Sequence, residues 1–126
     1  MVSKSKKKAK LPAARSTEPA RADTAVPADI PGEKSVEHLI QELKDSDEIV
    51  RSSAAGALGH SKSEKAVEPL ILALKDNHVY VRHGAAWALG EIKSETAVDA
   101  LRLALNDEDE ITRGKAAEAL GKIQGN

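Results

Sequence analysis

The chain has 126 residues, 40% of them apolar, and 19 Lys and Arg against 20 Asp and Glu; this suffices for one small domain and excludes a uniformly basic nucleic-acid binder. With no cysteine, no phenylalanine, one Trp and one Tyr, it excludes disulfide scaffolds, thiolate metal sites and thiol catalysis, and its core must be aliphatic. No stretch reaches the roughly 18 apolar residues of a membrane span, and no apolar run follows the early lysines as a signal peptide would require, so a cytoplasmic protein is expected.

The near-neutral total hides a division. Residues 1–35 hold eight Lys or Arg against four acids, leaving eleven against sixteen for the remainder. From Met1 to about Glu33 the composition is Lys, Ala, Pro, Ser and Thr, with Pro12, Pro19, Pro27 and Pro31 and no apolar periodicity, which predicts a disordered tail over 1–34. Lys4, Lys6, Lys7, Lys8 and Lys10 are the one cluster suited to nucleic acid or an anionic surface; the competing reading is a solubilising extension.

From residue 35 the chain repeats itself. Val36, Val67 and Val98 stand 31 residues apart, which divides 35–126 into repeats 36–66, 67–97 and 98–126 without an insertion. Each copy pairs a leucine-rich segment (Leu39-Ile40-Leu43, Leu70-Ile71-Leu74, Leu101-Leu103-Leu105) with an alanine-glycine block (Ala54 to Gly59, Ala85 to Gly90, Ala116 to Gly121). Val36, Leu39, Ile40 and Leu43 share one helical stripe, so two helices per repeat, A and B, are predicted. Ser35, Ser63 and Ser94, each upstream of an A helix, are predicted N-caps, and Pro69 is tolerable in a first turn. In repeat two the inward stripe of helix B is Val81, Ala85, Ala88, Leu89 and Ile92, whose alanines permit close helix approach. Ser61 replaces Ile92 and Ile123, so the first B helix is expected to stop near Gly59.

Between A and B lies an acidic turn, and an Asp is followed six residues later by an Arg in every copy: Asp45 and Arg51, Asp76 and Arg82, Asp107 and Arg113. Each pair is predicted to satisfy helix-start amides and to form charge-assisted bonds that can run from repeat to repeat as a structural ladder. The run Leu74-Lys75-Asp76 through Val81-Arg82, then Ala85-Ala86 and Ala88-Leu89-Gly90, resembles the HEAT-like repeats of the phycobilisome-lyase type. The resemblance implies an all-α fold: a short right-handed solenoid of three antiparallel helix pairs, with the B helices lining a concave, partner-binding face. It also implies proteins that serve as auxiliary subunits of bilin lyases or in phycobilisome breakdown. Departures are Thr112 for the valine before Arg113, Gly56 where copy two has Trp87, and Ser61. Gln41, Glu42 and Arg102 make the end repeats more polar, as solenoid caps require.

Motifs for chemistry are absent: no phosphate loop, nucleophile elbow or His-Glu-x-x-His occurs. His38, His60, His78 and His83 have no metal-ligand spacing, and Glu37-His38 reverses the His-Glu order of the family's di-iron hydroxylases. Asp107, Asp109 and Glu118 imitate part of a calcium loop, but Thr112 stands where its glycine is needed. The expectation is therefore a non-enzyme without metal or cofactor that binds another protein, as a monomer or with weak self-association. On a wheel of about 100° per residue starting at Val81, Tyr80, Trp87 and Glu91 fall near 240–280° and His83 near 200°, away from the core. Trp87 is the expected aromatic anchor, with Tyr80, His83 and Glu91 beside it; the competing reading makes Tyr80, whose equivalents are Ile49 and Ile111, a half-buried helix-entry contact and lays Trp87 over its neighbours. Ser52, Ser53, His60, Lys115, Glu118 and Lys122 form the expected polar rim.

Overall fold

A computed structural model of the chain describes residues 34–125. Six α-helices follow in order: α1 (Val36–Glu42), α2 (Glu48–Ser61), α3 (Val67–Ala73), α4 (Val79–Ile92), α5 (Val98–Ala104) and α6 (Glu110–Ile123). They form three helix pairs with the 31-residue period, and no strand occurs among the described residues. The first helix of each pair packs on the second, while α4 lies against both α2 and α6. The tail predicted for residues 1–34, with its lysine cluster, falls almost wholly outside the described residues.

Leu58 and Leu89 are fully buried, as are Leu70 and Leu101 on the A helices, each such side chain contributing roughly 1.5–3 kcal/mol. The whole expected stripe of α4 is buried, and so is Ala86, because α4 is covered on more than one side. Small residues set the spacing of the B helices. A Cβ at Gly59 would lie 2.5 Å from Trp87 Cζ3 and 2.9 Å from Ala88 Cα; one at Gly90 would lie 2.8 Å from Ala119 Cα. These glycines stand within the helices and mark close approaches, not ends.

Two local expectations are corrected. Helix α2 does not stop near Gly59 but runs to Ser61, 14 residues like α4 and α6. The Ser61 hydroxyl donates to the Leu58 carbonyl at 2.7 Å, and Lys62 closes the helix at φ 57°. Ser63 and Ser94 do not cap the A helices directly. Their hydroxyls accept from Lys65 N–H and Thr96 N–H and open 3₁₀ turns, Glu64–Ala66 and Glu95–Ala97, that run straight into α3 and α5.

The Asp–Arg ladder exists with a different connection. Arg51 donates from Nε to Asp76 Oδ2 at 2.8 Å and from Nη2 to Oδ1 at 3.1 Å, so its carboxylate partner belongs to the next repeat. Six residues back it meets a backbone carbonyl instead: Nη1 donates to Asp45 O at 2.7 Å. Arg82 repeats the pattern, with Nη1 on Asp76 O (2.7 Å), Nη2 on Asp107 Oδ1 (3.3 Å) and Nε 3.0 Å from Asp107 Oδ2. That last contact is an ion pair without hydrogen-bond alignment, so this rung is the looser of the two. The Asp side chains also accept from the amide two residues on: Asp45 from Asp47 N, Asp76 from His78 N, Asp107 from Asp109 N. Burial alone would raise the Asp76 pKa, but the Arg51 bonds and the His78 amide outweigh it and hold the carboxyl below its usual value.

Candidate protein-interaction surface

Each B helix starts from an extended residue whose side chain accepts a first-turn amide: Asp47 from Ile49 N, His78 from Tyr80 N, Asp109 from Thr112 N. Two positions beyond each cap stands a first-turn residue that faces solvent. Ile49, Tyr80 and Ile111 occupy that one repeat position, and they stand 67%, 64% and 55% exposed. The Tyr80 ring is flanked by His78 and His83, at centroid distances of 5.3 and 5.8 Å. Tyr80 is thus an exposed side chain, not a half-buried contact at the start of the helix.

Trp87 sits differently. It is half-buried over Gly59 and meets the His60 ring edge-on at 5.0 Å, so much of the indole is committed to the α2–α4 contact. Only Gly on the neighbouring helix leaves room for it. His83 and Glu91 are likewise occupied between repeats. His83 Nε2 lies 2.6 Å from Asp109 Oδ2, and Lys122 Nζ bonds the Glu91 carboxylate. The His83 bond, followed by the Thr112 amide and hydroxyl, lowers the Asp109 pKa to about 2. Thr112, in the place of valine, is fully buried with its hydroxyl satisfied at 2.9 Å by that same carboxylate. Lys122 in turn holds the Glu91 carboxyl below its usual range.

Of the expected surface residues, Tyr80, Ser53, His60 and Glu118 are exposed, whereas Trp87, His83, Glu91, Lys115, Lys122 and Ser52 are half-buried. Ile49 and Ile111 were not among those expected, although the same position recurs every 31 residues in the sequence. Exposed apolar residues also repeat on the A helices: Leu72 at 71% and Leu103 at 68%. Leu103 borders an open groove of about 820 Å³ between α3 and α5, floored by Ile71 and Ala100 and edged by Glu68, Asp99 and Glu108. Among the described residues no group of three or more His, Asp and Glu is arranged to hold a metal, and no helix is long and apolar enough to cross a membrane.

Stacked helix pairs in fixed register, joined by an inter-repeat Arg–Asp ladder, define a helical-repeat scaffold. A profile described as HEAT repeats matches residues 36–121, and the chain belongs to that family. Among solved structures it is similar to a chain of the complex of CpcE and CpcF of phycocyanin lyase from Nostoc sp. PCC7120: TM-score 0.70, 31% identity, 79% of this chain and 41% of that one. It is also similar to human deoxyhypusine hydroxylase in complex with glycerol: TM-score 0.69, 28% identity, 75% of this chain and 34% of that one. The chain therefore spans less than half the length of either protein. A search of curated proteins finds no match.

Proposed function

We propose that this HEAT-repeat scaffold is a non-enzymatic adaptor that binds another protein across the outward face of its B helices. The observation that carries the reading is the row Ile49, Tyr80 and Ile111: three large apolar side chains, each more than half exposed, at one position of every repeat. Solvent-exposed aliphatic and aromatic side chains aligned on a rigid frame suit the anchors of a protein interface. His83 stands against the Tyr80 ring, Ser53, His60 and Glu118 supply the polar rim, and the half-buried Trp87, Glu91, Lys115 and Lys122 of the B helices take part through their exposed edges.

The discriminating experiment replaces the anchors. Tyr80→Glu combined with Ile111→Glu should remove partner proteins from an affinity capture quantified by mass spectrometry, with the helical circular-dichroism signal unchanged. Capture that survives the double substitution moves the interface elsewhere. A second reading, an auxiliary subunit of bilin-lyase type, is supported by the likeness to a chain from the two-protein phycocyanin-lyase complex. It requires that phycocyanin be retained by the immobilised protein and that the double substitution release it. The lysine cluster of the tail supports a third reading, nucleic-acid or anionic-surface binding, which requires nuclease treatment or lysine replacement to empty the capture.

A further inference from the structure

We infer that the far face of α6 is a docking surface for the first repeat of a second copy of this chain, so that copies associate head to tail. The internal junctions provide the template. Where α4 covers α2 and α6 covers α4, Ala55 and Ala86 are fully buried, Gly59 and Gly90 are in close contact, and Leu43 and Leu74 are 8% and 6% exposed. The equivalent residues of repeat three are uncovered: Ala117 is exposed, a Cβ on Gly121 would meet nothing within 4 Å, and Leu105 is 38% exposed. The polarity expected to cap the end repeats resides in the A helices and does not reach this face.

Charge names the occupant. Arg113 holds its guanidinium as Arg51 and Arg82 do, with Nη1 donating to the carbonyl six residues back at 2.8 Å. Arg51 and Arg82 then reach the Asp of the following repeat, whereas Arg113 is exposed and, among the described residues, meets no carboxylate. At the opposite end, Asp45 makes the same turn as Asp76 and Asp107, with Oδ1 accepting from Asp47 N at 2.9 Å. Its Oδ2, the atom that binds Arg Nε in the other two, has no Arg among the described residues. The two ends of the ladder are thus preformed complements, and an Arg113–Asp45 contact between copies continues the Arg51–Asp76 and Arg82–Asp107 series. The contact is heterologous and can propagate beyond a dimer. It is weaker than the internal junctions, because Gly56 brings no side chain where Trp87 covers Gly59.

Sedimentation velocity on the full chain at low salt, from micromolar to millimolar concentration, tests this. The weight-average mass should rise with concentration and fall back with added salt. Arg113→Asp and Asp45→Arg should each sediment as monomers, because like charges then meet at the junction, and an equimolar mixture of the two should associate again. Gly121→Lys, at a position where an added Cβ meets none of the described residues within 4 Å, should abolish association without loss of helical signal. A wild-type protein that stays monomeric throughout overturns the proposal, as does a mixture that fails to recover. So does association that persists in Gly121→Lys, and its loss on Tyr80→Glu would then assign the self-contact to the B-helix row.

Discussion

Asp76→Ala tests the ladder at its best-formed rung. The substitution removes two hydrogen bonds from Arg51 and one from the His78 amide, and both charged side chains are about 85% shielded, at 14% and 15% exposure. Hydrogen bonds to charged groups contribute roughly 1.5–3 kcal/mol, and three bonds that share one carboxylate do not add in full, so a loss of about 2–3 kcal/mol is expected. For a domain of this size that lowers the melting temperature by about 10–15 °C. Asp107→Ala should be comparable, since it leaves the buried Arg82 without its carboxylate. Asp45→Ala should cost far less, because among the described residues its side chain serves only the Asp47 amide. Asp76→Asn keeps the turn acceptor and loses the charge, so it should fall between wild type and Ala. Urea denaturation followed by circular dichroism gives the ranking, with an unchanged m-value as the check that compactness is unaltered. Equal losses for Asp45→Ala and Asp76→Ala would refute the connection from each Arg to the following repeat and favour pairing within a repeat.

Three further substitutions probe two internal contacts and the uncovered face of α6. The Asp109 carboxyl titrates at about 2, below its ordinary 3.8, so the native state favours its ionised form; that stabilisation is complete above about pH 5 and is lost as pH falls toward 2. Asp109→Asn should therefore differ most from wild type near neutral pH and converge with it in acid; a constant difference between pH 5 and 2 would exclude the His83 and Thr112 contacts as the source. Gly90→Ala and Gly121→Ala are the same change at equivalent positions with opposite signs expected. The first forces α4 from α6 and should cost about 1–3 kcal/mol, while the second gains helix propensity of about 0.5–1 kcal/mol, both measured by thermal melting.

Most of the fold was legible because one periodicity carries it. A 31-residue spacing of valines, with leucine and alanine stripes inside it, sets helix number, order and facing. What periodicity within one repeat cannot contain is the identity of the neighbour across a junction. The Asp-to-Arg spacing of six was visible, yet the carboxylate that each Arg grips lies 25 residues further on, brought there by stacking. The helical wheel places Trp87 away from the inward stripe of its own helix, but only the position of Gly59 on the adjacent helix shows that the indole folds over it and packs against the core. His83 read as a surface residue because its partner, Asp109, belongs to the next cap. Ile49 and Ile111 escaped notice as surface anchors for a different reason: apolar residues in a first turn resemble core contacts until their exposure is known.

Because each rung joins only adjacent repeats, the described residues behave energetically as a row of three coupled units, with α4 the one B helix among them that leans on a neighbour at either side. Opening should start at an end, where a unit has a single coupling to lose. The middle unit is also the natural building block for extension. Duplicating residues 67–97 in tandem would regenerate the Arg82–Asp contact and the Gly90 close approach at the added junction, lengthening the B-helix face by one 31-residue step. A longer row should resist denaturant better in proportion to its added couplings, which makes chain length itself the adjustable variable of this scaffold.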